Sequence, residues 1–173
     1  LGEDCFDISI KTNISINREA RNSFSIYDSA LKYLMISKPN AEIDQCFKNL
    51  INDIEQIFLS ASVKHIGNDA FFRCISLTKI SIPSSVTEIG DNAFFGCSSL
   101  TEISIPSCLN KIGSSSFFGC SKLNQISIPS TVTEIGKKCF GRCFSLTEIT
   151  IPSLITKIGD STFEECSSLT KIS

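Results

Sequence analysis

The stretch Leu77-Thr-Lys-Ile80-Ser-Ile82-Pro83-Ser-Ser-Val86-Thr-Glu-Ile89-Gly90-Asp-Asn-Ala93-Phe94-Phe95-Gly-Cys97-Ser-Ser99 decides the fold, because Leu100 begins the same pattern again. The step is 23 residues, and it holds in four columns. Gly67, Gly90, Gly113, Gly136 and Gly159 keep it, as do Cys74, Cys97, Cys120, Cys143 and Cys166. Leu77, Leu100, Leu123, Leu146 and Leu169 form a third column, and Pro83, Pro106, Pro129 and Pro152 a fourth. Identities recurring at such an interval mark a chain built by stacking one small unit that cannot bury its apolar face alone.

Outward from that unit, whole copies start at Leu31, Ile54, Leu77, Leu100, Leu123 and Leu146, and a seventh begins at Leu169. The early copies are degenerate but in register: Leu31, Leu34 and Ile36 stand 46 residues before Leu77, Ile80 and Ile82. Residues 31–173 therefore read as a solenoid of six repeats and a partial seventh, and residues 1–30 as an N-terminal cap with a degenerate first coil. A terminal coil needs such a cap, since its apolar face lacks one neighbour. The sequence stops at Lys171-Ile172-Ser173 within a strand pattern, which predicts an open C-terminal edge.

Within a unit, Leu-x-x-Ile-x-Ile alternates apolar and polar positions, which predicts a half-buried strand about five residues long. Proline follows where the strand must end. Stacked coils would set these strands side by side in a parallel sheet at a spacing of about 4.8 Å. Val86 to Ile89 predicts a second, shorter strand that ends at the column glycine, where left-handed or closely approached backbone is expected. Asn68, Asp91, Ser114 and Asp160 come next and can cap amides, so residues 92–96 are predicted to form one helical turn, with Lys137 the exception in that column. Phe71, Phe94, Phe117, Phe140 and Phe163 predict an aromatic ladder in the core, beside the small column Ala70, Ala93, Ser116, Cys139 and Thr162. The fold class expected is an α/β repeat solenoid with parallel sheets and short helical turns.

Composition narrows the function classes. With 42% hydrophobic and 20% charged residues, the chain can bury a core. Sixteen basic against eighteen acidic residues give a net charge of −2 without charged blocks, which disfavours nucleic acid as a partner. No apolar run approaches the roughly 18 residues of a membrane span, and Leu1-Gly2-Glu3-Asp4-Cys5 has neither the basic nor the apolar part of a secretory signal. The missing initiator Met points to a processed form or a fragment, so the compartment stays open.

The unit looks like the BspA-type leucine-rich repeat: Leu-x-x-Ile-x-Ile-Pro-x-x-Val-x-x-Ile-Gly-x-x-Ala-Phe-x-x-Cys, as Leu77 to Cys97 carry it. The likeness is close over residues 54–173 and loose over 18–53. It implies a right-handed superhelix with a concave parallel sheet, adhesion to host or extracellular proteins, and a cell-surface or secreted setting. It implies no catalytic residue. One column departs from the pattern: where many such repeats carry Asn, this chain has Ser62, Ser85, Cys108, Thr131 and Leu154. Other hydroxyls are then expected to satisfy the turn carbonyls.

The outward residues of the principal strands give the candidate partner-binding face: Lys79, Ser81, Glu102, Ser104, Gln125, Ser127, Glu148 and Thr150, flanked by Thr78, Thr101, Asn124 and Thr147. A merely solvated face is the rival reading, because interface hot spots favour Tyr, Trp and Arg. Ile75 and Phe144 stand in a column otherwise filled by Ser98, Ser121 and Ser167, as exposed apolar contacts or as local packing. The ladder cysteines are read as free buried thiols, since stacking rarely gives the torsion of a disulfide. No metal or cofactor is expected: Cys139-x-x-x-Cys143 is the nearest thing to a ligand pair, and Cys139 already belongs to the small column. His65, the single histidine, has no evident nucleophile beside it, so no catalytic residue is assigned. Asn13-Ile14-Ser15 is a glycosylation sequon, meaningful only in a secretory pathway. Two functions follow: a non-enzymatic protein-binding or adhesion module, or a structural scaffold associating end to end through the open edge.

Overall fold

The computed structural model describes residues 54–173 apart from 60 and 62, together with the backbone of the strands Ile8–Ile10, Ile14–Ser15, Tyr33–Ile36 and Glu42–Ile43. The rest of the expected cap, with most of residues 1–30 and the sequon side chains, lies outside the described residues.

The repeat becomes a coil, and each coil adds a rung to two parallel sheets. Principal strands Tyr33–Ile36, Gln56–Leu59, Lys79–Ser81, Glu102–Ser104 and Gln125–Ile126 lie in register one repeat apart, so that Lys79 faces Glu102, Ile80 faces Ile103 and Ser81 faces Ser104. Glu148–Ile149 pairs in the same way with Lys171–Ile172, forming a separate two-stranded sheet. Each principal strand spans two to four residues, shorter than the five expected, because the chain turns away at the proline column. The second sheet runs through Glu42–Ile43, His65–Ile66, Glu88–Ile89, Lys111–Ile112, Glu134–Ile135 and Lys157–Ile158. At the N-terminal side, Ile8–Ile10 pairs antiparallel with both Tyr33–Ile36 and Ile14–Ser15.

Alternation in the strands separates core from surface. Ile80, Ile89, Ile103, Ile112, Ile126 and Ile135 are buried, while the charged and polar residues between them face solvent. Phe71, Phe94, Phe117 and Phe140 are wholly enclosed and stack at centroid distances of 5.2, 5.2 and 5.6 Å, with Phe163 next at 5.8 Å. The small column beside them, Ala70, Ala93, Ser116 and Cys139, is buried throughout, which lets neighbouring coils pack at the close spacing the rings require.

Close approach accounts for the glycine column. A Cβ on Gly113 would lie 2.5 Å from the carbonyl carbon of Gly90 and 2.6 Å from the amide nitrogen of Asp91. None of Gly67, Gly90, Gly113, Gly136 and Gly159 is among the positive-φ residues, so left-handed backbone is not the reason for glycine there.

The third side of the coil corrects one expectation: the described residues contain no helix, and residues 92–96 form consecutive turns instead. Asn92 has φ of 53° and Gly96 of 71°, and the equivalents Ser115 and Gly119 have 52° and 74°, values that interrupt any right-handed helical run. The amides are also committed elsewhere. Asn92, Phe94 and Gly96 donate to the carbonyls of Ser114, Ser116 and Phe118 in the next coil, at 2.9, 2.7 and 2.7 Å. A helix would aim those donors along its own axis. The Asn68 and Asp91 oxygens do accept amides, but from Asp91 and Ser114 one coil on, at 2.8 and 2.7 Å. What reads as a helix cap is a bond between coils.

Hydroxyls replace the missing asparagine ladder in part. Ser85 donates to the Val63 carbonyl at 2.6 Å, and the single Thr131 hydroxyl proton has the Leu109 carbonyl at 2.6 Å, with that of Ser107 at 2.9 Å as the alternative acceptor. Cys108 and Leu154, in the same column, are exposed. Threonines elsewhere do similar work: Thr78 donates to Glu55 at 2.9 Å, Thr133 to Asn110 at 3.4 Å and Thr156 to Thr133 at 3.3 Å.

The ladder thiols are free, and four of them find a carbonyl. Cys97, Cys120, Cys143 and Cys166 donate to Phe71, Phe94, Phe117 and Phe140 at 3.1, 3.3, 3.3 and 2.9 Å. Burial pushes the Cys120 and Cys143 thiols up and raises Cys139 from 9.0 to about 12. Below pH 9 the folded and unfolded chains both keep the Cys139 proton, so that thiol adds no pH dependence. Between pH 9 and about 12 only the unfolded chain releases it, and stability falls as pH rises. Urea titrations at pH 8 and pH 10.5 are expected to show that loss. Iodoacetamide at pH 8 should modify Cys108 in the native protein and spare Cys120, Cys139 and Cys143 until urea is added. Rapid native labelling of Cys139, read by peptide mass spectrometry, would contradict the packing described.

Candidate protein-binding face

The principal strands bring the predicted face together. Lys79, Ser81, Glu102, Ser104, Gln125, Ser127, Glu148 and Thr150 are all exposed. They form two columns along the solenoid axis, one of long polar or charged side chains and one of hydroxyls. Strand alternation places them: the buried isoleucine of each strand points in, so its neighbours on either side must point out. Ser127 and Thr150 lie just past strands Gln125–Ile126 and Glu148–Ile149. The sheet hydrogen bonding is interrupted between Gln125–Ile126 and Glu148–Ile149, so the face is continuous in side chains but has a seam in its backbone.

Two pairs of charges on this face meet across coils, Lys79 with Glu102 at 3.8 Å and Lys171 with Glu148 at 3.9 Å. All four side chains are more than half exposed, so each pair contributes at most about 1 kcal/mol to the fold. Such charges remain available to a partner. Thr78 is partly covered and Thr101, Asn124 and Thr147 are exposed, with Thr101 donating to the Thr78 carbonyl at 3.3 Å.

A second surface feature was not singled out by sequence. Phe72, Phe95 and Phe118 stack at 5.0 and 5.1 Å in a half-buried ladder on the turn side. The column breaks at Gly141, where a Cβ would meet the Phe118 ring at 2.7 Å, and the Arg142 guanidinium lies 5.6 Å from that ring's centre. Arg73 lies 5.8 Å from the Phe72 centroid. The same 23-residue step carried the signal, but Gly141 and Glu164 interrupt it after three rungs. Ile75 and Phe144 on this side are 52% and 43% exposed, so they face solvent.

The other candidates have plain placements. His65 is exposed on the second sheet, in register with Glu88. Cys139 is enclosed and 3.3 Å from the Ser116 hydroxyl. No group of three or more His, Cys, Asp or Glu among the described residues is placed to hold a metal ion. Nor is any helix among them long and apolar enough to cross a membrane.

Parallel strands repeated every 23 residues, a glycine seam, and a polar sheet surface over an isoleucine and phenylalanine core define a leucine-rich-repeat solenoid. The BspA-type leucine-rich-repeat region matches residues 41–170 in six copies, and the chain belongs to that family. Among solved structures it is similar to a leucine-rich-repeat protein of T. pallidum, with 28% identity over 82% of this chain and 64% of that one, and a TM-score of 0.67. It is also similar to a leucine-rich-repeat protein of Eubacterium ventriosum, with 26% identity, coverage of 82% and 39%, and a TM-score of 0.68. A leucine-rich-repeat protein of Bacteroides ovatus shares the fold, with 24% identity, coverage of 83% and 48%, and a TM-score of 0.59. The chain thus spans 64% or less of the length of these three proteins. Comparison with curated proteins finds no match.

Proposed function

We propose that this chain is a non-enzymatic, adhesion-like module that holds a protein partner against its principal sheet, at the cell surface or after secretion. The observation that supports the reading is the recurrence of eight exposed polar residues, Lys79 to Thr150, at one-repeat steps, with Lys79, Glu102 and Gln125 in register as one column and Ser81 and Ser104 as the next. Donors and acceptors repeated along such a face suit the polar contacts of a protein interface, about one hydrogen bond per 100–200 Å². Likeness to the BspA-type repeat implies a right-handed superhelix with a concave principal sheet, a shape that would wrap around the partner.

The test uses a photo-cross-linking amino acid placed at Ser104 in one variant and at Thr156, on the second sheet, in another. Capture of one surface or matrix protein from position 104 and not from 156 is expected, and the Glu102→Lys/Glu148→Lys variant is expected to lower that capture about tenfold. Capture from position 156 alone, or capture from 104 unchanged by the charge reversals, would overturn the assignment of the face.

A further inference from the structure

The second sheet carries its own outward column, and its charges alternate: Glu88, Lys111, Glu134 and Lys157, one repeat apart. These four are neighbours in register, yet among the described ion pairs none joins them, in contrast with Lys79–Glu102 and Glu148–Lys171 on the principal sheet. Glu88, Lys111 and Lys157 are exposed and Glu134 partly so. The adjoining column, Thr87, Asn110, Thr133 and Thr156, is uncharged, and its Thr133 and Thr156 hydroxyls fold back on the backbone. Short side chains beside the charges leave room for another flat surface to approach.

We infer that this face pairs with the same face of a second copy of the chain, about a two-fold axis that lies in the face, runs parallel to the strands and passes between Lys111 and Glu134. That operation reverses the order of the column. Glu88 then meets Lys157 of the other copy, Lys111 meets Glu134, and the two mirror contacts complete four opposite-charge pairs. On the principal sheet the column reads Gln56, Lys79, Glu102, Gln125, Glu148, Lys171; reversal about Gln125 sets lysine on lysine and glutamate on glutamate, and reversal between Lys79 and Glu102 sets opposite charges together, but those two already pair within the chain at 3.8 Å. An axis parallel to the solenoid fails for the second sheet as well, since every charge would meet its own kind. The second sheet in this orientation is self-complementary, as a two-fold contact requires, and it is the sheet whose charges are not already paired within the chain.

The face is narrow and its pairs are solvated, so the dimer is weak and sensitive to salt. Each copy keeps its own principal sheet, which this contact does not use. Two binding faces on one particle raise avidity for a partner displayed in many copies, without any new contact to that partner.

Sedimentation equilibrium of the 173-residue chain at low and high sodium chloride tests the inference. A monomer–dimer equilibrium is expected at low salt, shifted toward monomer at high salt. Lys111→Glu turns two attractive contacts into repulsive ones and should weaken the dimer about tenfold or more. The double variant Lys111→Glu/Glu134→Lys restores all four opposite pairs across the two-fold and should recover the wild-type dimer. If these charges serve only to pair laterally within one chain, the double variant instead sets a carboxylate at position 111 beside Glu88 and an ammonium at position 134 beside Lys157. It would then lower the melting temperature and change no mass, which would overturn the proposal. A monomer under all conditions would do the same. So would a dimer indifferent to Lys111→Glu but lost in Ile158→Lys, which would place the contact at the coil end, or failure of the folded double variant to dimerise.

Discussion

Gly113→Ala is expected to destabilise the protein by about 3 kcal/mol, the upper range for forcing a methyl group into a filled site. The added carbon would sit 2.5 Å from the carbonyl carbon of Gly90 and 2.6 Å from the nitrogen of Asp91. Both are backbone atoms of the preceding coil, so no rotamer change makes room. Relief requires the two coils to separate, and separation breaks bonds on either side of the seam. The Gly113 amide donates to Ile89 at 2.9 Å, and Asp91 accepts the Ser114 amide at 2.7 Å. Because each coil is stabilised chiefly by its neighbours, a fault in the middle of the stack divides the array into two shorter ones. Urea unfolding should therefore show a lower midpoint and a broader transition. Gly141→Ala meets the edge of the Phe118 ring instead of backbone, and a ring can swing, so a smaller loss is expected there. Equal losses at the two positions would mean that the seam is looser than described.

Phe94→Ala is expected to cost about 4 kcal/mol, within the range for emptying a buried aromatic site. Phe94 is fully enclosed and lies between Phe71 and Phe117, at 5.2 Å from each. Truncation removes two stacking contacts and leaves a gap between coils that backbone bonding holds in place. The Phe94 amide donates to Ser116, and its carbonyl accepts the Cys120 thiol at 3.3 Å, so the coil cannot settle inward without losing those bonds. Phe163→Ala, at a partly covered rung stacked on Phe140 at 5.8 Å, should cost roughly half as much. Chemical denaturation of the two variants gives the comparison. A loss at Phe94 no larger than at Phe163 would argue against a continuous aromatic ladder.

Most of the architecture was legible because the physics of stacking writes residue identity into columns. A position that must admit the neighbouring backbone can hold only glycine, and a rung between two rings keeps phenylalanine, so these columns stay nearly invariant. The turn was not legible for the opposite reason. Its first left-handed position is filled by Asp69, Asn92, Ser115, Lys138 and Ser161, four residue types in five coils, since the bonds that fix it come from the backbone of the next coil. Asp91 followed by five residues and a cysteine looks locally like a capped turn, and only the coil beyond shows where the amides go. The Phe72, Phe95 and Phe118 ladder was readable in principle, but a three-rung column ending at Gly141 is weak next to the five-rung ladder one residue earlier. The face itself is a different matter. Alternation places Glu102 and Ser104 outside, yet nothing in coil stacking constrains what an outward side chain recognises, so the repeat specifies a scaffold and leaves the partner unspecified.

The central claim is that each repeat advances one rung along a single axis, and dipolar distance measurements between nitroxides on noncanonical side chains test it most directly. With one label fixed at Thr150, a second label at Phe58 is four coils away and one at Met35 is five, because Met35 and Phe58 are partners in adjacent parallel strands. At about 4.8 Å per coil the separations should be about 19 Å and about 24 Å. A Met35 distance equal to or shorter than the Phe58 distance would contradict the stacked solenoid.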